Sequence, residues 1–281
     1  MRIRTILPLP LLLLVASAAY AAHEADLYVI PAAAHTAGAA GTNWTTDVTI
    51  HNSGSSAVTV SIHFIESGFM PAASLSPVLV DGEASLTLAP GETRTITDLL
   101  AAQRAGAGVT GALILEGDGP FIVASRTATP GTGAGAVGAT VAPVAALFDA
   151  SPANGGEASV LPAVSMNAAA RSNVGLLIAS LGSSLTVEVM LLGPTGAPLG
   201  QRTITFPGEG FAHLQFSLAD IAPAFDDATA VVRITNGEGL VVPYAAVVDN
   251  NSGDPSVMTG GIVSSAATSA AAVLRGMLAT R

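Results

Sequence analysis

"NWTTDVTIHNSGSSAVTVSIHF", residues 43–64, is the stretch on which the reading of the chain turns. Val48 and Ile50, then Val58, Val60, Ile62 and Phe64, alternate with Thr, Ser and His. A period of two belongs to strands that bury one face and wet the other. Asn52-Ser53-Gly54-Ser55-Ser56 between the two runs are turn formers. The stretch therefore predicts a β-hairpin.

Working outward, the chain repeats itself once. "VIPA" at 29–32 returns as "VLPA" at 160–163, and "GSSAVTVSI" at 54–62 as "GSSLTVEV" at 182–189. "APGET" at 89–93 matches "FPGEG" at 206–210, and "GDGPFIVAS" at 117–125 matches "GEGLVVPYA" at 237–245. Four matches in one order predict two homologous units, 26–145 and 158–264, joined by a Pro/Gly-rich linker at 146–157. The second unit repeats the alternation at Val174, Leu176 and Ile178, then at Leu185, Val187, Val189 and Leu191. Further strands are expected near 84–88, 93–97, 111–116 and 120–128. Short strands at this spacing without intervening helices argue for an all-β sandwich in each unit. "TDLLAAQRA" from Thr97 and "LADIAPAF" in the second unit predict short helical crossovers. The Ala-rich tail, 265–281, is expected to be a loose helix or disordered.

Asn52 and Gly54 in an N-x-G turn, followed by Leu88-Ala89-Pro90-Gly91-Glu92-Thr93 leading into a strand, resemble the immunoglobulin-like modules of bacterial secreted and surface proteins. The resemblance implies tandem immunoglobulin-like sandwiches acting as spacers, adhesive or carbohydrate-binding accessories, or parts of envelope assemblies. It implies no catalytic residues. The second unit departs from the pattern, with Ile178 read at the place of Asn52 and Gly210 at that of Thr93.

The first residues predict the compartment. Arg2 and Arg4, an apolar run from Ile6 to Ala16, and Ala19-Tyr20-Ala21 read as a secretory signal peptide cut after Ala21. The run is too short to cross about 30 Å of hydrocarbon, so stable membrane insertion is not expected. The protein is expected to be secreted or periplasmic. It has no cysteine and so must be held by burial alone. The net charge is −10, and all ten basic residues are scattered arginines. Nothing here forms the basic stripe that neutralises phosphates, which argues against nucleic acid.

Residues suited to chemistry are few. On the predicted hairpin, His51 and His63 project outward about 20 Å apart, too far to share a metal with bonds of about 2 Å. His35 and His213 are isolated. No G-x-S-x-G elbow occurs, and the repeated acids Glu92 and Glu209 each sit in a turn of their own unit, not as a facing pair. "DNNSGDP", 249–255, is oxygen-rich, with Asp249, Asn251 and Asp254 as possible calcium ligands. Gly253 breaks the EF-hand pattern, and turns favour the same residues. Asp47 and Asn173 occupy matching places, where a repeated short polar side chain suits a ligand or, better, fixes a bulge or neighbouring loop by hydrogen bonds. No catalytic residue, cofactor or metal is expected.

The reading is a non-catalytic envelope or extracellular protein that binds an unknown protein or glycan or acts as a spacer. One alternative is a periplasmic assembly chaperone of two such domains, with Arg94 and Arg126 the candidate anchors. The other is a hydrolase with an unrecognised site. From Gly54 to Pro90 the first unit spans 36 residues, and from Gly182 to Pro207 the second spans 25. The 11 extra residues fall in "ESGFMPAASLSPVLVDG", 66–82. Read as a loop, it makes Phe69, Met70 and Leu75 candidate partner contacts, or a flap folded over the core. Trp44 is a further candidate contact, alone or in a patch with Tyr28.

Overall fold

The computed structural model describes residues 24–38, 42–101, 108–129, 137–145, 158–262 and 278–279. The expected signal peptide, the 146–157 linker and the tail except Leu278 and Ala279 lie outside these residues. The chain is all-β. In the first half the strands are β1 (Ala25–Ala37), β2 (Asn43–His51), β3 (Val58–Glu66), β4 (Gly68–Pro71), β5 (Leu86–Leu88) and β6 (Thr93–Ile96). They continue as β7 (Val109–Thr129), β8 (Val137–Thr140) and β9 (Val144–Ala145). The second half holds β10 (Ser159–Met166), β11 (Ala170–Ser180), β12 (Ser184–Leu192), β13 (Pro198–Pro207) and β14 (Gly210–Ser217). It ends with β15 (Phe225–Asn236), β16 (Gly239–Asp249), β17 (Pro255–Thr259) and β18 (Gly261–Ile262).

Both halves use one strand order. In the second, β13-β12-β15-β10-β18 faces β14-β11-β16-β17. In the first, β5-β3-β7-β1, with β9 beside β1, faces β6-β2-β7, with β8 beside β7. Strand β7 serves both sheets: residues up to Gly117 pair with β3, and those from Ile122 pair with β2. It changes sheet through Gly117-Asp118-Gly119-Pro120, where the matching β15 and β16 are separate strands. The repeated VIPA and VLPA also act alike. Register slips between Ile30 and Ala33, and between Leu161 and Val164. Pro31 and Pro162 have no N–H for the ladder, so each motif encodes a bulge.

The alternating residues do fill sandwich cores. Ile30, Val48, Ile50, Val60, Ile62 and Phe121 lie in one, and Val174, Leu176, Ile178, Val187, Val189 and Leu191 in the other. The expected hairpin, however, does not form. β2 pairs with β1, β6 and β7, and β3 with β5 and β7, so 52–57 is an arch from one sheet to the other. Two strands facing each other across a core alternate like two strands paired side by side, and periodicity alone cannot separate them. The expected helical crossovers are also absent among the described residues. Thr97–Ala101 is a turn, and Leu218–Asp220 is one 3-10 turn with Ser217 Oγ accepting from the Ala219 amide. No helix among the described residues is long and apolar enough to cross a membrane.

Asn52 fixes the arch. It is fully buried, and its Nδ2 donates to the carbonyls of Ser56, Leu88 and Ala89 at 2.8, 3.1 and 3.2 Å. Its Oδ1 accepts from the Gly54 amide at 2.9 Å. One amide side chain therefore ties the β2–β3 arch to the Ala89–Glu92 turn between β5 and β6. The repeated segments match Val123 to Pro243, so Ile50 opposite Val123 corresponds to Leu176 opposite Pro243, and Ile178 stands at the place of Asn52. Ser180 is buried, and its Oγ has no protein partner.

A third apolar layer joins the halves. Leu27, Val29, Ile65 and Ile114 on the outer face of the β5-β3-β7-β1 sheet meet Leu177, Phe211, Leu240 and Val242 on the β14-β11-β16-β17 sheet. Leu278 is buried in the same layer. Four sheets are thus stacked with three apolar layers between them. Substitution separates the two kinds of buried polar side chain. Asn52→Ala strands several buried backbone groups and is expected to cost about 3 kcal/mol, a Tm lower by about 6–12 °C. Ser180→Ala is expected to change stability by less than about 1 kcal/mol. Thermal denaturation followed by far-UV circular dichroism checks both.

Candidate functional site

The face that the second half turns toward the first is graded. Cross-strand neighbours at one end are Ala179, Phe211 and Leu240, then Leu177, His213 and Val242. Next come Gly175, Gln215 and Tyr244, then Asn173 beside Ala246, and finally Arg171 beside Val248. Gly175 is required there, because a Cβ would sit about 2 Å from atoms of the Tyr244 ring. Facing sheets lie about 10 Å apart, and the large apolar residues of the first rows fill that gap. Opposite the polar rows the first half presents Ala32, Ala33, Ala34, Gly111 and Ala139, which are too small to fill it. A cleft of about 260 Å³ results, also walled by Trp44, Arg171, Asn173, Gln215 and Tyr244. Trp44 and Thr36 border a second hollow beside it, which reaches His35 and Asn43.

A hydrogen-bonded chain crosses the boundary between the layer and the cleft. Ser67 Oγ lies 2.9 Å from His213 Nδ1, His213 Nε2 lies 3.1 Å from the Tyr244 hydroxyl, and that hydroxyl donates to Gln215 Oε1 at 3.1 Å. Ser67 Oγ also lies 2.9 Å from the Thr110 carbonyl. His213 is 2% exposed. Burial lowers its pKa to about 4, opposed by the Pro31 carbonyl, and burial raises that of Tyr244. The unfolded chain takes up the His213 proton near pH 6.5 and the folded protein only near 4. Between these values the unfolded state holds more protons, so stability falls on acidification. The expected loss from pH 7 to pH 4 is about 3 kcal/mol from this group. Urea denaturation at the two pH values should show that increment missing in His213→Gln.

The 66–82 segment belongs to the same junction. It is not simply a loop: β4 runs beside β14, with a parallel bridge between Ser67 and His213. Gly210 admits it, since a Cβ there would meet the Met70 carbonyl at 2.3 Å. Leu75 is buried in the apolar layer, and Met70 packs against that layer. Phe69 is 39% exposed, over Gly208. Of the four candidate contact residues, the structure brings Met70 and Leu75 together in the layer, puts Trp44 on the cleft wall and leaves Phe69 outside. Tyr28 does not join Trp44 in a patch. It is buried in the first core, where its ring is 5.1 Å from that of Phe121 and its hydroxyl donates to the Phe121 carbonyl. Burial pushes its pKa up to about 12.

The other sequence candidates are held in local bonds. His51 Nδ1 is 2.8 Å from Thr93 Oγ1. His63 is 7% exposed rather than on a wet face, because it shares its side of β3 with Ile65 of the apolar layer. His35 contacts the Asp98 carboxylate at 2.9 Å, and Asp47 accepts from the Asp98 amide. Asp249 accepts from the amides of Asn251 and Ser252, which hold its pKa below the usual value. Asp254 accepts from the Gly138 amide of the first half, so DNNSGDP is a second clasp across the junction. Glu92 accepts from the Ala89 amide, while Glu209 is exposed. Arg94 pairs with Asp81 and Glu92, and Arg126 stands opposite Asp47. Among the described residues no three His, Asp or Glu side chains gather as a metal site. The cleft was missed because it is made by residues far apart in the chain; the only local hint was the run of alanines 32–34.

No protein-family model matches the chain, and no curated protein matches it. Among solved structures it has slight similarity to a glycosyl hydrolase family 2 member from Bacteroides cellulosilyticus, at 8% identity and TM-score 0.19, over 78% of this chain and 28% of that one. Two β-glucuronidases from Bacteroides uniformis are similar at 9% identity. One has TM-score 0.16 and coverage of 81% and 26%, the other 0.18 and coverage of 78% and 26%. The chain spans about a quarter of the length of those enzymes. At these scores the similarity carries no argument about activity.

Proposed function

We propose that this is a secreted or periplasmic, non-catalytic binding protein built from two tandem sandwich units, with the junction between them as its binding region. One observation carries the reading: side chains suited to chemistry are engaged in structural hydrogen bonds, whereas the junction holds an open cleft and an exposed aromatic on a braced segment. The units are immunoglobulin-like in a restricted sense. The second strand pairs with the fifth and the third with the sixth, as in an immunoglobulin domain, but the first and seventh have exchanged sheets. The partner is an envelope or extracellular protein or glycan. Ion pairing of Arg94 within its own unit disfavours the chaperone alternative, which needs a basic group free to anchor a client.

A hydrolytic reading has one observation in its favour, the 2.9 Å approach of Ser67 Oγ to His213. It lacks the carboxylate that orients such a histidine, since a phenol occupies the other ring nitrogen. Phe69→Ser separates contact from support. It is expected to leave Tm within about 2 °C, as exposed substitutions do, and to weaken capture of the native partner in a pull-down. Leu75→Ser is expected to lower Tm markedly. Turnover of any glycan or ester substrate that is abolished by Ser67→Ala would replace this reading with the hydrolytic one.

A further inference from the structure

We infer that the cleft between the halves binds a single sugar residue bearing a carboxylate. This deepens the binding-protein reading and rests on it. Size comes first: about 260 Å³ lies just under the range of drug-sized pockets, about 300–1,000 Å³, and suits one pyranose ring better than an oligosaccharide or a peptide strand. The wall chemistry is that of a polyhydroxylated ligand. Trp44 lines the cleft, and an indole is suited to pack against the apolar side of a sugar ring. The amides of Asn173 and Gln215 each carry donors and an acceptor, which match neighbouring hydroxyls that also do both. Alanines on the facing wall leave the ring its space.

Charge narrows the class. The protein carries −10 overall, yet among the described residues the only charged one lining the cleft is Arg171. Asn250 Oδ1 accepts from Arg171 Nη1 at 2.7 Å, which orients the guanidinium and leaves other N–H donors for a ligand. Asp254, beside the lining residue Pro255, accepts from the Gly138 amide. An oriented arginine with no carboxylate among the described lining residues favours an anion, and a carboxylate matches its fork.

Trp44 is the only tryptophan in the chain, so its emission reads the cleft directly. The experiment titrates the full chain with methyl galacturonoside and with methyl galactoside at constant ionic strength. Saturable changes in Trp44 emission are expected for both, roughly tenfold tighter for the acid. Arg171→Gln should reduce the acid to the affinity of the neutral sugar, and Asn173→Ala should weaken both, with Tm measured for each variant to exclude unfolding. No saturable change with either glycoside, or a preference for the acid that survives in folded Arg171→Gln, overturns the inference. In that event, partner capture that depends on Phe69 would leave the binding-protein reading standing. Methanol released from the glycosides, followed by proton NMR, would instead overturn the non-catalytic reading while leaving cleft occupancy intact.

Discussion

The structure depends on the apolar layer that two outer sheet faces share. A chain with no cysteine and 11% charged residues has only burial to hold its halves together. Leu27, Val29, Ile65 and Ile114 on one side and Leu177, Phe211, Leu240 and Val242 on the other supply it. Each such side chain contributes about 1.5–3 kcal/mol when fully buried, so the layer outweighs the polar clasps beside it. Those clasps, Ser67 to His213 and Asp254 to the Gly138 amide, set register and orientation. The strap at 66–82 extends the layer, since Leu75 enters it and Met70 closes its edge.

The same layer explains why a cleft exists. Where both faces carry large side chains the gap is dry and filled. Where alanine and glycine replace them on the first half, the side chains no longer fill the space between the sheets and a cleft opens. His213 stands at that boundary. It is buried enough to be held neutral, yet it bonds to Ser67 on one side and Tyr244 on the other. The neutral imidazole is a structural part of the junction, and acid weakens the junction through it.

Much of the architecture could be read from residue patterns. Val58, Val60 and Ile62, and Leu185 and Val187, have polar or small neighbours, and each set fills a core as the alternation implies. The hairpin was misjudged because an arch between facing sheets has the same period as a hairpin, and only long-range pairing distinguishes them. The third layer has a signature of a different kind: "VGLLIAS" and "GLVVPYA" in β11 and β16 are apolar without alternation and buried on both faces, the pattern of strands covered on two sides. "QRTITF" in the edge strand β13 alternates and is wet on one side. That contrast marks which sheet of the second half faces the first. The candidate site was less readable, because Trp44, Asn173 and Gln215 are brought together only when the two halves dock. Phe69 and Leu75 show the same limit: both are apolar residues of one inserted segment, and only the position of β14 decides which is buried.

Differential scanning calorimetry tests the coupling of the halves most directly. The intact chain is expected to unfold in one transition, because neither half can leave without exposing the shared layer. Val242→Asp, which places a charge in that layer without touching either sandwich core, is expected to split the transition into two. Two separate transitions in the unaltered protein, or a single unshifted transition in the variant, would contradict the account.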